Sequence, residues 1–268
     1  MSGDADVQDP VLVERGPVAT VRLNRPERRN ALDLPTITRL TAVVGDLAAD
    51  PGVRVIRLTA VGDRAFCAGA DLHEVENLAG VEGYRRYFGG LATLLDLLYR
   101  CPKPVVAAVF GFTLAGGMGL AAGADLLWAA DDTVFGLPEI GIGLFPMVVM
   151  AAIGRHIGRR RTLELALSGQ RIDAATAERW GFVNRVVPRA ALEEDSLAYC
   201  ARLADQSPLI MELGKEAYGQ MADMPYPAAL RYLREMVSLV ALSDDSAEGI
   251  RAFWEKRPPR WPSGGPSA

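Results

Sequence analysis

The chain has 268 residues, half of them hydrophobic, and a formal net charge of −4. That length supports a sizeable core, as one large domain or a domain with an appendage. The mild acidity argues against a basic nucleic-acid footprint, and no apolar run of about 18 residues suggests a membrane span. The start, "MSGDADVQDP", lacks the basic end and apolar stretch of a secretory signal. Cys67, Cys101 and Cys200 are far apart and show neither a metal spacing nor a disulfide framework, and two histidines are too few for most zinc sites. The expectation is a soluble, cytoplasmic protein with no protein-bound metal.

In chain order, "VLVERGPVATVRLNRP" reads as two short strands around a Glu14–Pro17 turn. "TITRLTAVVGDLAADP" has helical spacing through Ile37, Leu40, Val43, Val44 and Leu47, and Pro51 ends it. "VRVIRLTA" alternates as a strand, and "VGDRAFCAGADLHEVENL" runs from a Gly/Ala turn into a helix. "EGYRRYFGGLATLLDLLYRCP" is helical, "KPVVAAVFG" is a continuous apolar strand, and "FTLAGGMGLAAGAD" turns into another helix. Short strands follow around Leu126–Ala129 and Thr133–Phe135, and "GFVNRVVP" is the last. Beyond Pro188 the pattern is helical in four segments, with a loose tail "PPRWPSGGPSA". Strand, glycine-rich turn and helix recur, which fits an α/β fold with covered sheets. The division is a core over 1–188 and a helical region over 189–268 whose apolar faces would pack on the core or on another subunit.

Chemistry is most readable at two strand-to-helix turns, "FCAGAD" and "LAGGMG". The first N–H groups of a helix have no intrahelical partner, and small residues let a ligand approach them. Two such groups on one oxygen would form an oxyanion hole, although a tight, closely packed turn accounts for either stretch taken alone. A third feature is Glu139 in "FGLPEIGIGLFP". Burial among Ile140, Ile142, Leu144 and Phe145 would raise its pKa and make it a proton carrier. Otherwise it caps a turn.

Together these stretches, with "LNRPERRNAL", "LELALSGQRIDAATAERWGFVNRVVP" and "EGIRAFWEKRPP", resemble the crotonase superfamily of enoyl-CoA hydratases and isomerases. The resemblance implies a crotonase-like spiral of strand–strand–helix turns with a C-terminal helical trimerisation region, forming trimers or hexamers. It also implies an acyl-CoA thioester substrate and no cofactor beyond its coenzyme A. By that resemblance the oxyanion N–H groups belong to Ala70 and Gly116, and Glu139 is the acid/base. Ala70, Asp71, Leu72 and His73 would line the coenzyme A side, while Arg28 and Arg29 would reach its nucleotide.

Hydratases of the superfamily carry a second glutamate twenty positions before the first, and here that position is Gly119. Dienoyl isomerases add an aspartate eight residues past the glutamate, where this chain has Met147. A single carboxylate suffices to move a proton between the α- and γ-carbons, so the expected activity is 3-enoyl to 2-enoyl-CoA isomerisation. The alternatives are a hydratase despite Gly119, and a non-catalytic acyl-CoA-binding subunit. Gly119 is also expected to leave space for a bulkier acyl group or a differently held water.

Overall fold

The computed structural model describes residues 9–264; most of the acidic N-terminal stretch and the last four residues lie outside them. Strands β1 (Val11–Glu14) and β2 (Val18–Leu23) form the expected antiparallel hairpin. Helix α1 (Leu34–Ala49) follows, with the Asp33 side chain accepting from the Thr36 N–H as its cap. Strands then alternate between two sheets. β3 (Val55–Ala60), β5 (Val105–Val109), β7 (Leu126–Ala130) and β10 (Arg185–Val187) extend the hairpin into a six-stranded sheet of order β1-β2-β3-β5-β7-β10. β4 (Ala65–Cys67), β6 (Phe112–Leu114), β8 (Val134–Gly136) and β9 (Arg171–Asp173) form the second sheet in that order. Each successive pair, β3/β4, β5/β6 and β7/β8, gives one strand to each sheet before the chain enters a helical segment. The result is the expected spiral. Its helices are α2 (Leu72–Glu76) with α3 (Gly80–Arg100), then α4 (Gly116–Gly123), then α5 (Val149–Ser168), and α6 (Ala174–Arg179) follows β9.

β3 is buried along its whole length, although its sequence alternates. Its polar members are absorbed internally. Arg57, fully buried, forms an ion pair with Glu193 at 2.6 Å and bonds Ser196 at 3.0 Å, and Thr59 donates to the Ala108 carbonyl. Glu193 and Ser196 belong to α7 (Leu192–Ala204), which packs across β2, β3, β5 and β7. The helical run beyond 188 therefore has two parts: α7 lies on the sheet, whereas α8 (Pro208–Met221), α9 (Tyr226–Ala241) and α10 (Asp244–Glu255) pack on one another.

The tail is not loose as far as residue 264. Asp245, 1% exposed, takes hydrogen bonds from the hydroxyls of Ser207 and Ser263 and from the Ser263 N–H at 2.9 Å. Trp261 donates to the Asp205 carbonyl and lies against Gly249. Among the described residues no helix is long and apolar enough to cross a membrane, and all three cysteines are buried free thiols.

Candidate active site

The two glycine-rich turns meet. The turn after β4 is tied to the 25–34 loop by a short ladder in which Leu32 donates to the Gly69 carbonyl and accepts from the Asp71 N–H. This pattern skips Ala70, whose own N–H has no protein acceptor among the described residues. Gly116 opens α4, so its N–H has no intrahelical acceptor either. A Cβ at Gly116 would sit 3.8 Å from the Ala70 nitrogen and 3.6 Å from the Gly69 Cα. The bare face of Gly116 is thus turned toward the other unused N–H. Gly69 holds φ at +106°, and a Cβ there would come within 2.6 Å of the Ala115 Cβ. Ala115 sits at φ 51°, ψ −120°, a conformation costing a residue with a Cβ on the order of 1–3 kcal/mol. Gly117 serves packing rather than the unused N–H pair, since a Cβ there would run into Cys67.

The turn after β4 and the 25–34 loop are braced together. Arg25 spans Asp33 and Asp71, each at 3.0 Å, and donates to the Ala31 carbonyl. Asp71 also caps α2 by accepting from the His73 N–H, so both its oxygens are engaged. Burial pushes the Asp71 carboxyl up, but the bonds from Arg25 and the His73 and Glu74 amides outweigh this and hold it below the usual carboxylate range. Glu74 accepts from the Leu34 N–H at the start of α1, a role its position in the sequence did not suggest. Asn30 fixes the loop from inside through the carbonyls of Val61 and Ala65.

Glu139 is on the adjoining turn. The Ala115 N–H donates to the Gly136 carbonyl at the end of β8, and three residues later Glu139 lies in the 3-10 segment Pro138–Ile142. Its side chain is half-buried, and its Oε2 is a buried oxygen without a hydrogen-bond partner. Burial raises its pKa, and only its own backbone N–H pulls the other way.

Gly119 departs from the expectation. It leaves no space. A Cβ there would lie 2.8 Å from the Cβ of Val149 and closer still to one of its methyl groups. Val149 is the first residue of α5 and is 3% exposed. Thirty residues away in sequence, it fills the side-chain position of residue 119.

The remaining predicted residues are on the surface. Leu72 and His73 are exposed on α2, and Arg28 and Arg29 are exposed beside the braced loop. The Arg29 carbonyl accepts from the Ala68 N–H, and its guanidinium lies 6.0 Å from the centre of the Phe112 ring. Arg171, missed in the sequence, lies 5.5 Å from the same ring. Neither guanidinium has a carboxylate partner among the described residues. Arg257 is engaged by Glu248 and Glu255. Cys67 is a buried thiol pushed up to about 12 by desolvation, which suits packing and not nucleophilic attack.

Comparison with known proteins identifies the family. The sequence pattern of the enoyl-CoA hydratase/isomerase family matches residues 14–264. The chain belongs to that family. It is 38% identical over 253 residues to a putative enoyl-CoA hydratase of Thermus thermophilus, covering 94% of this chain and all of the relative. It is 34% identical to a carnitinyl-CoA dehydratase of Citrobacter koseri, covering 92% and 95%. The crystal structure of an enoyl-CoA hydratase from Mycobacterium smegmatis superposes with a TM-score of 0.91 at 32% identity, over 95% of this chain and 99% of that one. The fold is the crotonase fold, and the chain is an acyl-CoA enzyme of this family.

Proposed function

We propose that this family member isomerises 3-enoyl-CoA to 2-enoyl-CoA with Glu139 as its single acid/base. The observation that carries the reading is the buried, unpartnered Oε2 of Glu139 on the turn next to two unused N–H groups. The N–H groups of Ala70 and Gly116 receive the thioester oxygen. Glu139 removes a proton from the α-carbon, the C–H pair moves into the enolate, and the donors stabilise the oxygen charge. One such donor is worth about 3 kcal/mol. Glu139 then returns the proton at the γ-carbon, and the double bond ends between the α- and β-carbons. The burial that raises its pKa makes the returned proton available at neutral pH.

A second reading is water addition to a 2-enoyl-CoA, favoured by the hydratase names of several relatives. It requires a group to orient water, and position 119 supplies none. Purified protein is given 2-enoyl- and 3-enoyl-CoA substrates, and the products are read by mass spectrometry. Unchanged mass with a shifted double bond supports isomerisation. Rapid gain of one water from 2-enoyl-CoA, on the order of 10 per second, replaces it with hydration.

Arg28, Arg29 and the exposed His73 serve the coenzyme A moiety in this reading, with Asp71 holding the Ala70 turn. The functional unit is a trimer or a pair of trimers. Its support is the apolar surface of α8–α10, where Tyr226, Val237, Leu242, Phe253 and Trp254 are each at least 60% exposed. Light scattering at micromolar concentration should give three or six times the chain mass; a monomer rejects the assembly.

A further inference from the structure

We infer that Val149 is a specificity-determining residue, an apolar plug that takes the side-chain position of residue 119 and denies water a place beside the oxyanion helix. The inference rests on the single-carboxylate reading of Glu139.

Gly119 lies one helical turn beyond Gly116 on α4. By the resemblance to the hydratases, position 119 is where a group orienting a second reactant would stand. The structure fills that place from another element. α4 and α5 pack closely, and the first residue of α5 points its isopropyl group at the bare Cα of Gly119. Truncation to alanine would still leave a Cβ 2.8 Å from any Cβ at 119, whereas with glycine at 149 the nearest atom is the Val149 Cα at 3.6 Å. Residues 119 and 149 therefore compete for one volume.

The plug has a chemical consequence. Val149 offers neither donor nor acceptor. Hydration needs a water whose oxygen bonds the β-carbon as its proton leaves to a base, while the π pair enters the enolate and the α-carbon then takes a proton. A water beside a valine methyl and a glycine lacks the two or more polar partners that hold buried water. The 2-enoyl product that forms when the proton returns then meets no positioned water, and the reaction ends at isomerisation. On this argument a carboxylate restored at 119 alone cannot recreate a hydratase site, because Val149 blocks it.

The experiment has two arms. The packing arm measures melting temperature and isomerase turnover for Gly119→Ala, Val149→Gly and the double variant. Gly119→Ala alone should lose at least tenfold in turnover and melt lower, and adding Val149→Gly should recover most of both. The reaction arm measures the ratio of hydrated to isomerised product for Val149→Ala, a mild variant that keeps most of the packing, and for Gly119→Glu with Val149→Gly. The ratio should rise at least tenfold over wild type in the paired variant and stay near wild type in Val149→Ala, whose alanine still gives a water no polar partner. A Gly119→Ala protein with wild-type stability and turnover, an unchanged product ratio in the folded paired variant, or a ratio that rises as much in Val149→Ala as in the paired variant, overturns the inference. A wild-type protein that hydrates and does not isomerise overturns the single-carboxylate reading instead, and the packing arm still reports on the shared volume.

Discussion

Replacing Glu139 by glutamine keeps the shape of the side chain and removes its proton chemistry. A positioned acid/base contributes about 10²–10⁴ in rate, which at about 1.4 kcal/mol per decade is roughly 3–5.5 kcal/mol of barrier. Glu139 is the sole carrier in the proposed mechanism, so the upper end applies, and kcat should fall by about 10⁴. Acyl-CoA affinity should stay within a few-fold, because the N–H pair of Ala70 and Gly116 and the braced loop are untouched. The same variant reports on the perturbed carboxyl. Its pKa is raised by burial, so the folded protein holds that proton more tightly than the unfolded chain does. The stability this confers is complete below the unfolded value, about pH 4.3, and is lost as pH rises through the raised folded value. Glutamine does not titrate. The melting temperature of Glu139→Gln relative to wild type should therefore be higher at pH 8 than at pH 4. Wild-type kcat/KM should in turn have an acid limb displaced above the usual carboxylate range, since the base acts ionised. Stopped assays with a 3-enoyl-CoA across a range of pH, acyl-CoA titration, and thermal melts at pH 4 and pH 8 test these four expectations. Near-normal turnover, or a melting difference that grows toward low pH, would refute the reasoning.

Gly69→Ala forces a Cβ to within 2.6 Å of the Ala115 Cβ at φ +106°, so it should displace the Ala70 N–H and lower kcat by about 10²–10³; unchanged kcat in steady-state assays would remove that donor from the mechanism. Asp71→Asn keeps the cap to the His73 N–H but weakens the Arg25 tie. It should cost a few-fold in kcat with little change in KM, and a change confined to KM would assign Asp71 to coenzyme A binding instead. Asp245→Ala strands the hydroxyls of Ser207 and Ser263 and frees the tail. The loss should be about 1–3 kcal/mol, a few degrees of melting temperature at this size, with new proteolytic cleavage near residue 260; an unchanged melt would show that the tail contributes nothing.

Much of the fold is legible because its elements are long or punctuated. The β1–β2 hairpin, α1 with Pro51 beyond it, and α8 from Pro208 to Met221 carry their periodicity and their stops in the sequence. The three-residue strands β4, β6 and β9 do not. β8 and β10 are as short but legible from their β-branched and aromatic residues, whereas β4, β6 and β9 sit in glycine-rich or polar stretches that read as turns, and pairing alone defines them. Arg57 is hidden for a different reason. Its position in an alternating strand reads as an exposed face, and only Glu193, 136 residues later, makes burial of that charge tolerable. At the site, the glycines announced that bare backbone was needed but not by what. Gly116 is bare toward the Ala70 nitrogen, Gly117 toward Cys67, and Gly119 toward Val149. One residue type answers three different neighbours, and all three come from other turns of the spiral, Ala70 and Cys67 from the one before and Val149 from the one after. No local reading separates a glycine that opens a cavity from one that admits another side chain.

That distinction bears on how such a site changes its reaction. The oxyanion donors are backbone groups, held by a left-handed Gly69, a strained Ala115 pinned to the Gly136 carbonyl, and a ladder that bypasses Ala70. None of this depends on the chemistry of a side chain that meets the substrate, so the donors persist whatever stands around them. The reaction is then set by the few side chains that face the enolate, and changing one need not disturb the turn. The contact between 119 and 149 adds a restriction. A carboxylate can enter at 119 only if α5 gives up its first side chain, and a bulky residue at 149 requires glycine at 119. Two positions thirty residues apart thus share one volume, and a change at either meets a partner that, for 119, lies outside the glycine-rich motif.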